Sequence, residues 1–210
     1  MKTILCYGDS NTWGYNPKNK ERYTRDERWP GVLRNELGDD VWIIEEGLNG
    51  RTTVFDDPIE AHRNGLKYLI PCLDSHQPLD LIILMLGTND LKKRFSTSAY
   101  DVGKGISVLI DVILASESAP GGNAPKILLV SPCPFEKLTE KAELFEDAEE
   151  KSLRLAGHFA QIAEEYGLAF LDAGLVIKSS QIDGFHLEVS EHHKLGLAIS
   201  QSVQTIFNTV

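Results

Sequence analysis

A serine, an aspartate and a histidine lie in this sequence where they can support nucleophilic chemistry. Ser10 follows Gly8 and Asp9 directly after a short apolar run, and Asp183 precedes His186 by three residues near the other end of the chain. A serine hydroxyl attacks a carbonyl carbon only when a base takes its proton, and that base needs a third group to hold its tautomer. Ser10 is therefore the candidate nucleophile, His186 the candidate base and Asp183 the candidate carboxylate that orients it.

Attack by Ser10 on an acyl carbon would create an oxyanion, which needs hydrogen-bond donors already in place. Each such donor contributes about 3–4 kcal/mol in the transition state. Asn89, in the stretch Gly-Thr-Asn-Asp at 87–90, offers a side-chain amide, and the backbone N–H of Ser10 offers a second donor. Gly50 can present a third N–H, because glycine allows the backbone to approach a ligand closely.

Short runs of β-branched and other apolar residues alternate with longer segments of helical spacing along the whole chain. The short runs predict strands at Ile4–Tyr7, Val41–Glu45, Leu79–Leu86, Lys126–Ser131 and Leu168–Asp172. The longer segments predict helices at Trp29–Leu37, about 62–75, Tyr100–Ser118, Glu140–Tyr166 and Glu191–Phe207. Gly38 and Gly167 are predicted to end helices, and Ser190 to cap the last one.

This alternation predicts an α/β fold. Residues 81–86 and 127–130 are apolar at every position, as in strands that are covered on both faces. We expect a three-layer α/β/α sandwich, with a five-stranded parallel sheet in the flavodoxin-like order 2-1-3-4-5, in a single domain over residues 1–210. In that order the exits of the first and third strands face each other, so Ser10 and Asn89 should meet at the crevice. The loop from Gly174 to Leu187 is long enough to bring His186 there.

Composition narrows the partners and the compartment. The apolar fraction of 42% and the charged fraction of 25% are ordinary for a globular protein. A formal net charge of -10 argues against nucleic acid or an anionic membrane as partner, since no basic patch is available to neutralise phosphates. No apolar run approaches the length of a membrane span or of a signal peptide. Three widely spaced cysteines indicate free thiols, so a cytoplasmic protein is expected.

Four blocks of the sequence resemble the signature blocks of SGNH (GDSL-type) hydrolases, in order and spacing. They are Gly8-Asp9-Ser10-Asn11, the segment 47–50, the segment 87–90 and the pair Asp183 and His186. The fuller stretches 4–14, 44–53 and 84–90 are similar to the bacterial arylesterase/acyltransferase branch of that family. Any single block is weak, because Gly-Asp-Ser occurs often by chance, but four blocks at matching positions are strong.

This resemblance implies a serine esterase of short-chain acyl (acetyl-type) esters, acting through an acyl-enzyme. Carried over, it gives Ser10, His186 and Asp183 as the triad, and Ser10 N–H, Gly50 N–H and Asn89 as the oxyanion hole. It implies no metal and no cofactor, a small ester as substrate, transfer of the acyl group to alcohols as a side activity, and a homo-oligomer. Asn11 stands where leucine is commonest in the family, and the segment 134–150 is shorter and more charged than in that branch, so substrate range stays open.

Other interpretations of these residues remain. Ser10 can be a turn residue or part of a phosphate cradle, and Asn89 can cap a helix. Asn11, Trp13 and Tyr15 are candidates for the substrate pocket, although Trp13 and Tyr15 can equally pack their own loop. If these aromatic rings stack on sugars, the enzyme is a carbohydrate acetylesterase. A binding protein that kept the fold and lost catalysis is the alternative from another class.

Four further features have simpler interpretations. Arg51 is expected to pair with Asp56 or Asp57 rather than to bind an anionic substrate. His192 and His193 are expected to be solvated residues of a first helical turn, because adjacent histidines on a helix point about 100° apart and do not easily share one ion. The charged run 136–151 is expected to be a solvated helix face. Asp9 and Asp90 are expected to fix their loops through backbone hydrogen bonds.

Overall fold

A single parallel sheet organises the chain. In the computed structural model, which describes residues 1–208, the strands are β1 (Lys2–Gly8), β2 (Val41–Gly47), β3 (Leu81–Met85), β4 (Lys126–Ser131) and β5 (Ala169–Asp172). Their order is β2-β1-β3-β4-β5, and every neighbouring pair is parallel. The predicted strand order and the predicted α/β class are therefore confirmed.

Helices cover both faces of the sheet. They are α1 (Ser10–Trp13), α2 (Trp29–Leu37), α3 (Gly65–His76), α4 (Ala99–Ala115), α5 (Ala148–Tyr166) and α6 (Val189–Asn208). One core cluster joins sheet residues to α3, α4 and α5 through side chains such as Leu69, Ile106 and Phe159. A second cluster joins the opposite face to α2 and α6 through Leu33 and Ile199. This is the predicted three-layer arrangement.

Strands β3 and β4 show why continuous apolar runs identified the sheet. All five residues of β3 are buried, as are the last five of β4, because helices lie against both of their faces. β3 ends at Met85, one residue before the predicted end, and the chain turns at Gly87 with a φ of 123°. A residue with a side chain rarely adopts that φ, so Gly87 fixes the point at which the chain leaves the sheet.

Helix boundaries were predicted with mixed success. α2 has the predicted bounds, and Gly38 and Gly167 follow α2 and α5 with positive φ values, as expected of glycines that end helices. The expectation that Ser190 caps the last helix is wrong. α6 begins at Val189, so Ser190 lies inside its first turn and its hydroxyl donates to Glu191.

The charged segment before α5 does not form the helix that was predicted for it. The helix expected from Glu140 begins only at Ala148, and residues 140–147 form turns. Phe145 in this segment is only 1% exposed and packs against Phe135 and Phe185, with ring centroids 5.3 and 4.9 Å away. Burying this ring from a charged segment favours turns over a continuous solvated helix.

Two expectations from composition concern membranes and cysteines. None of the helices within residues 1–208 has the length and apolar character that a membrane span requires. Cys6, Cys72 and Cys133 are free thiols, and all three are buried.

Candidate active site

The loop after β1 presents Ser10 at the edge of the sheet. The Asp9 carboxylate accepts a hydrogen bond from the Asn11 N–H at 2.9 Å and so starts the short helix α1 at Ser10. Gly8 is required at the end of β1, because a Cβ there would lie 2.1 Å from Thr12 Oγ1 and 2.7 Å from the Met85 carbonyl oxygen. The turn is therefore tight enough to place Ser10 directly beyond the strand.

Ser10, His186 and Asp183 form one continuous hydrogen-bonded chain. Ser10 Oγ lies 2.9 Å from His186 Nε2, and His186 Nδ1 lies 2.6 Å from Asp183 Oδ2. With its hydrogen on Nδ1, the imidazole donates to Asp183 and accepts from the Ser10 hydroxyl through Nε2. Ser10 and His186 are almost fully buried, so little water competes for either hydrogen bond.

The loop before α6 holds the histidine and the aspartate together. Asp183 Oδ1 accepts hydrogen bonds from the backbone N–H groups of Phe185 (3.2 Å) and His186 (3.1 Å), which leaves Oδ2 for the imidazole. Gly184 has a φ of 93°, and a Cβ there would lie 2.8 Å from the Lys137 carbonyl oxygen. Because Asp183 lies three residues before His186, one of its carboxylate oxygens binds the backbone of the turn and the other binds the imidazole.

The electrostatics keep His186 neutral and Asp183 ionised. Burial lowers the pKa of His186, the nearby Lys141 cation lowers it further, and Asp183 acts in the opposite direction without cancelling them. Burial acts to raise the pKa of Asp183, but hydrogen bonds from the His186 ring and from two backbone N–H groups outweigh it, so that pKa lies below its ordinary value. A neutral imidazole beside an ionised carboxylate is the state that can accept a proton from serine.

The three residues predicted to supply oxyanion donors line one cavity. Asn89 Nδ2 donates one hydrogen to the Arg51 carbonyl oxygen at 3.1 Å, which leaves its second hydrogen for a ligand. Within residues 1–208, neither the Ser10 N–H nor the Gly50 N–H donates to a backbone carbonyl in the loops and turns. Gly50, with a φ of 80°, lines the same cavity as Ser10 and Asn89. The structure therefore brings together all three predicted oxyanion-hole residues, and the Asn89 side chain fixes a loop carbonyl instead of capping a helix.

Asp90 connects two of the loops around the site. Its carboxylate accepts from the Thr53 N–H (2.9 Å) and from the Thr53 hydroxyl (2.5 Å), while Asp9 accepts from its own turn. Burial raises the pKa of both Asp9 and Asp90 to about 6. These contacts agree with the structural role predicted for the two aspartates.

The prediction for Arg51 is wrong. Arg51 is 2% exposed, and its Nη1 donates to the carbonyl oxygens of Gly8 (2.9 Å) and Glu46. Its guanidinium lies over the Tyr7 ring, 4.2 Å from the centroid. The predicted partners bind other cations: Asp56 pairs with Lys67, and Asp57 pairs with Lys92 and Arg94. The loop folds back over β1, so Arg51 reaches carbonyl groups at the strand ends instead of carboxylates close to it in sequence.

A cavity of about 130 Å³ opens at Ser10. Its lining combines Ser10, His186 and the predicted oxyanion residues with aromatic and charged side chains: Ser10, Tyr15, Asn49, Gly50, Glu60, Arg63, Asn89, Lys92, Lys141, Leu144, Phe145, Phe185 and His186. Among the predicted pocket residues, Tyr15 lines this cavity, and its ring stacks on His186 with centroids 4.2 Å apart. Asn11 and Trp13 do not line it. Asn11 donates to the Phe185 carbonyl oxygen at 3.1 Å, and Trp13 packs under the Arg22 guanidinium.

The sequence linked the charged segment to substrate range but did not predict which of its residues line this cavity. Lys141, Leu144 and Phe145 all line it, so the expectation that residues 136–151 are simply a solvated helix face is wrong. The signal was the adjacent apolar pair Leu144-Phe145 within a run of charged residues. That pair is also compatible with a helix face. Only the tertiary structure, in which Phe145 packs against Phe185 and both residues line the cavity, shows that the pair forms part of the cavity wall.

His192 also differs from expectation. Instead of being solvated, it is fully buried, with Nδ1 accepting from the Trp29 N–H at 3.3 Å and the Tyr23 ring edge-on at 5.3 Å. Burial, with smaller contributions from His186 and Arg28, lowers the pKa of His192 to about 3. His193, the next residue, is exposed as predicted.

A possible metal-binding group lies apart from the triad. Among residues 1–208, only Glu46, Cys72 and His76 have donor atoms that all lie within 4.8 Å of one another. Glu46 and His76 already form a hydrogen bond of 2.8 Å. None of the three lines the cavity at Ser10. Glu46 lines a larger hollow of about 540 Å³, which shares only Arg63 with that cavity.

Comparisons with known proteins show what the chain is similar to. Residues 6–192 match the model of the GDSL-like lipase/acylhydrolase family. An aryl esterase from M. smegmatis is 42% identical, with a TM-score of 0.94, over 98% of this chain and 99% of that one. A carbohydrate acetylesterase from Sinorhizobium meliloti is 39% identical, with a TM-score of 0.94, over 99% and 100% of the two chains. No curated protein sequence matches the chain.

Proposed function

The chain belongs to the GDSL-like lipase/acylhydrolase family, and we propose that it is a carboxylic ester hydrolase that cleaves short-chain acyl esters through an acyl-enzyme on Ser10. The observation that carries the proposal is the unbroken chain of hydrogen bonds from Ser10 through His186 to Asp183, at 2.9 and 2.6 Å. The esterase structures that cover nearly the whole chain at about 40% identity support the same reaction.

The first half of the reaction forms the acyl-enzyme. Ser10 Oγ attacks the acyl carbon while its proton passes to His186 Nε2, and Asp183 stabilises the imidazolium that results. The oxyanion accepts from the Ser10 N–H, the Gly50 N–H and the free hydrogen of Asn89 Nδ2. The imidazolium then gives its proton to the leaving alcohol oxygen, the tetrahedral intermediate collapses, and the alcohol departs.

Water completes the cycle along the reverse route. His186 Nε2 removes a proton from a water molecule as it attacks the acyl carbon, and the same donors hold the second oxyanion. Collapse of that intermediate returns the proton to Ser10 Oγ and releases the carboxylic acid. No residue beyond the triad and the three oxyanion donors is needed.

The size of the cavity favours short acyl groups. Pockets that enclose drug-sized ligands usually measure about 300–1,000 Å³, whereas the cavity at Ser10 measures about 130 Å³. Phe145 and Phe185 form part of its wall and are themselves buried, so they cannot move aside without disturbing the core. We therefore expect acetyl and propionyl esters to be hydrolysed faster than hexanoyl or octanoyl esters.

Hydrolysis of a chromogenic aryl acetate by Ser10→Ala tests the proposal. Loss of the nucleophile should lower kcat by about 10⁴-fold or more, and labelling by a fluorophosphonate probe should disappear. Ser190→Ala, at an exposed serine in the first turn of α6, is the matched control. It should keep both the rate of ester hydrolysis and the labelling by the probe. A Ser10→Ala variant that keeps more than a few per cent of the rate contradicts the mechanism, and a wild-type chain that resists the probe favours a binding protein.

Deacetylation of sugars is the second candidate. It is supported by the similarity to a carbohydrate acetylesterase. Stacking of a sugar on the loop aromatics is not supported, because the Tyr15 ring already stacks on His186 and the Trp13 ring lies under Arg22. Rates on acetylated xylose and on an aryl acetate, measured side by side, separate the two candidates.

Two further expectations belong to the same proposal. Transfer of the acyl group to an alcohol competes with hydrolysis if alcohols enter the cavity, and the ratio of ester to acid formed in aqueous ethanol measures it. Self-association of the chain, which the family resemblance implies, is measured by sedimentation velocity.

A further inference from the structure

The cavity at Ser10 carries a surplus of positive charge in an acidic protein. Four side chains with permanent charges line it, the cations Arg63, Lys92 and Lys141 and the anion Glu60. The chain as a whole has a formal net charge of -10. The charge of this cavity is opposite in sign to the net charge of the protein, and the kind of ligand that binds in the cavity must account for this difference.

Two of the three cations have carboxylate partners. Lys92 is 3% exposed and pairs with Asp57 at 3.2 Å and Glu60 at 2.9 Å. Arg63 Nε lies 4.0 Å from the second oxygen of Glu60. The two contacts of Lys92 tie the loop of residues 57–63 to the segment after β3, so Lys92 has a structural role, whereas the contact of Arg63 lies within that loop.

Lys141 has no such partner. Among the described residues, no carboxylate lies within 4.0 Å of its ammonium. The ammonium lies over two aromatic rings instead, 5.8 Å from the Tyr15 centroid and 5.3 Å from the Phe185 centroid. Burial lowers the pKa of Lys141, and the more distant carboxylates of Asp183 and Glu60 act in the opposite direction without cancelling it. Glu140, its neighbour in sequence, pairs with Lys20 instead. A half-buried cation that lies over ring faces and has no carboxylate in direct contact is available to an anion.

The two rings also fix which part of a substrate would meet Lys141. Tyr15 and Phe185 both contact the His186 imidazole, with centroid distances of 4.2 and 4.1 Å. His186 Nε2 protonates the leaving alcohol in the proposed reaction, so the alcohol departs on the imidazole side of the cavity. Lys141 therefore lies on the side of the leaving group, whereas Gly50 and Asn89 receive the oxyanion.

We propose that Lys141, held over Tyr15 and Phe185, is a binding site for an anionic group on the alcohol part of the substrate. The favoured substrates are then short-chain esters of phenols or alcohols that carry a carboxylate or another acidic group. This inference rests on the proposed function, because it assigns specificity to the same site.

A matched pair of substrates and a matched pair of variants test this site. The substrates are 4-acetoxybenzoate, which is anionic, and 4-acetoxybenzamide, which is neutral and of similar shape. The variants are Lys141→Gln and, as control, Lys137→Gln, which removes an exposed lysine of the same segment that does not line the cavity. The measured quantity is the ratio of kcat/KM for the anionic ester to kcat/KM for the neutral ester, in which the intrinsic reactivities cancel between variants.

Lys141→Gln should lower this ratio about tenfold, mainly by raising KM for the anionic ester. Lys137→Gln should leave the ratio unchanged. In the wild type, kcat/KM for 4-acetoxybenzoate should fall as salt rises from about 0.02 M to about 0.5 M, and this dependence should weaken in Lys141→Gln. A merely structural role of Lys141 predicts none of these differences between the two esters.

Two results would overturn the inference. The first is an unchanged ratio in Lys141→Gln, which includes an equal fall in kcat/KM for both esters, and the second is the same fall of the ratio in Lys137→Gln. In each case, hydrolysis of 4-acetoxybenzamide by the wild type shows that the esterase itself is intact. If the wild type hydrolyses neither ester, the proposed function fails, and the anion site fails with it.

Discussion

Two buried histidines lie six residues apart, one in the loop before α6 and one in the first turn of α6, and they have different hydrogen-bond partners. His186 is 3% exposed and His192 is fully buried, and burial lowers the pKa of both. His186 lies between the Asp183 carboxylate and the Ser10 hydroxyl. Among residues 1–208, His192 accepts only the Trp29 N–H, and its Nε2 has no hydrogen-bond partner there.

The difference shows that burial alone does not make a histidine a general base. Without a carboxylate, desolvation takes the pKa of His192 to about 3, so the ring remains neutral and serves as packing between α2 and α6. Asp183 offsets part of the same desolvation at His186, and it stabilises the imidazolium that must form during turnover. Four experiments test this contrast, from the largest expected effect to the smallest.

Removing each histidine in turn should separate their roles most widely. His186→Ala is expected to lower kcat on an aryl acetate by about 10⁵-fold, because no other group can take the Ser10 proton. His192→Asn, in which the amide oxygen can accept the Trp29 N–H, should change kcat by less than about threefold, although it should lower the free energy of unfolding by about 1–3 kcal/mol. A comparable loss of kcat in both variants would sink the contrast.

Removing the carboxylate should make His186 resemble His192. In Asp183→Asn a neutral amide replaces the carboxylate that accepts the Nδ1 hydrogen. The amide does not stabilise the imidazolium, so kcat is expected to fall by about 10⁴-fold. Circular dichroism and thermal unfolding check that the loop remains folded, because Asp183 also accepts two backbone hydrogen bonds. A fall of less than about tenfold would mean that the aspartate is not needed to orient the base.

The pKa of His192 predicts a loss of stability in acid. Its folded-state pKa of about 3 lies below the ordinary value of 6.5, so the unfolded chain binds a proton that the folded chain excludes between these limits. The stability is therefore complete above pH 6.5 and falls, by about 1.4 kcal/mol per pH unit, as the pH drops through this window.

His192→Asn removes that dependence. Between about pH 7 and pH 4.5, the wild type should lose about 2–3 kcal/mol more of its unfolding free energy than the variant does. Urea denaturation at the two pH values measures the difference. Asp9 and Asp90, whose pKa values are about 6, contribute equally to both proteins and therefore cancel. Parallel losses in the two proteins would contradict the assignment of this effect to His192.

The smallest effect concerns the pH dependence of activity. Because the pKa of His186 is lowered, the acid limb of kcat/KM should have its midpoint below pH 6.5, with activity lost as the imidazole is protonated. Lys141→Gln removes a nearby cation and should move the midpoint upward, whereas Lys137→Gln should not. A midpoint at or above pH 6.5 in the wild type would show that Asp183 outweighs burial.

Patterns along the chain were sufficient to predict the sheet and the residues of the candidate site. Apolar runs in the strands and helical spacing between them predicted the α/β class, and the flavodoxin-like order expected of such a sheet is the order observed. The strand order in turn placed Ser10 opposite Asn89. Asp183 and His186 were accessible to sequence reasoning because a spacing of three residues is local, and one turn determines their contact.

Only the tertiary structure decided which distant groups meet. Arg51 reaches the carbonyl oxygens of Gly8 and Glu46 instead of the nearby aspartates, His192 is covered by Trp29 and Tyr23, and the charged segment contributes Lys141 and Phe145 to the cavity. Central strands are buried on both faces, and this burial appears in the sequence as a continuous apolar run. The partner of a long polar side chain depends on how loops far apart in sequence pack together, and that packing leaves no such local pattern.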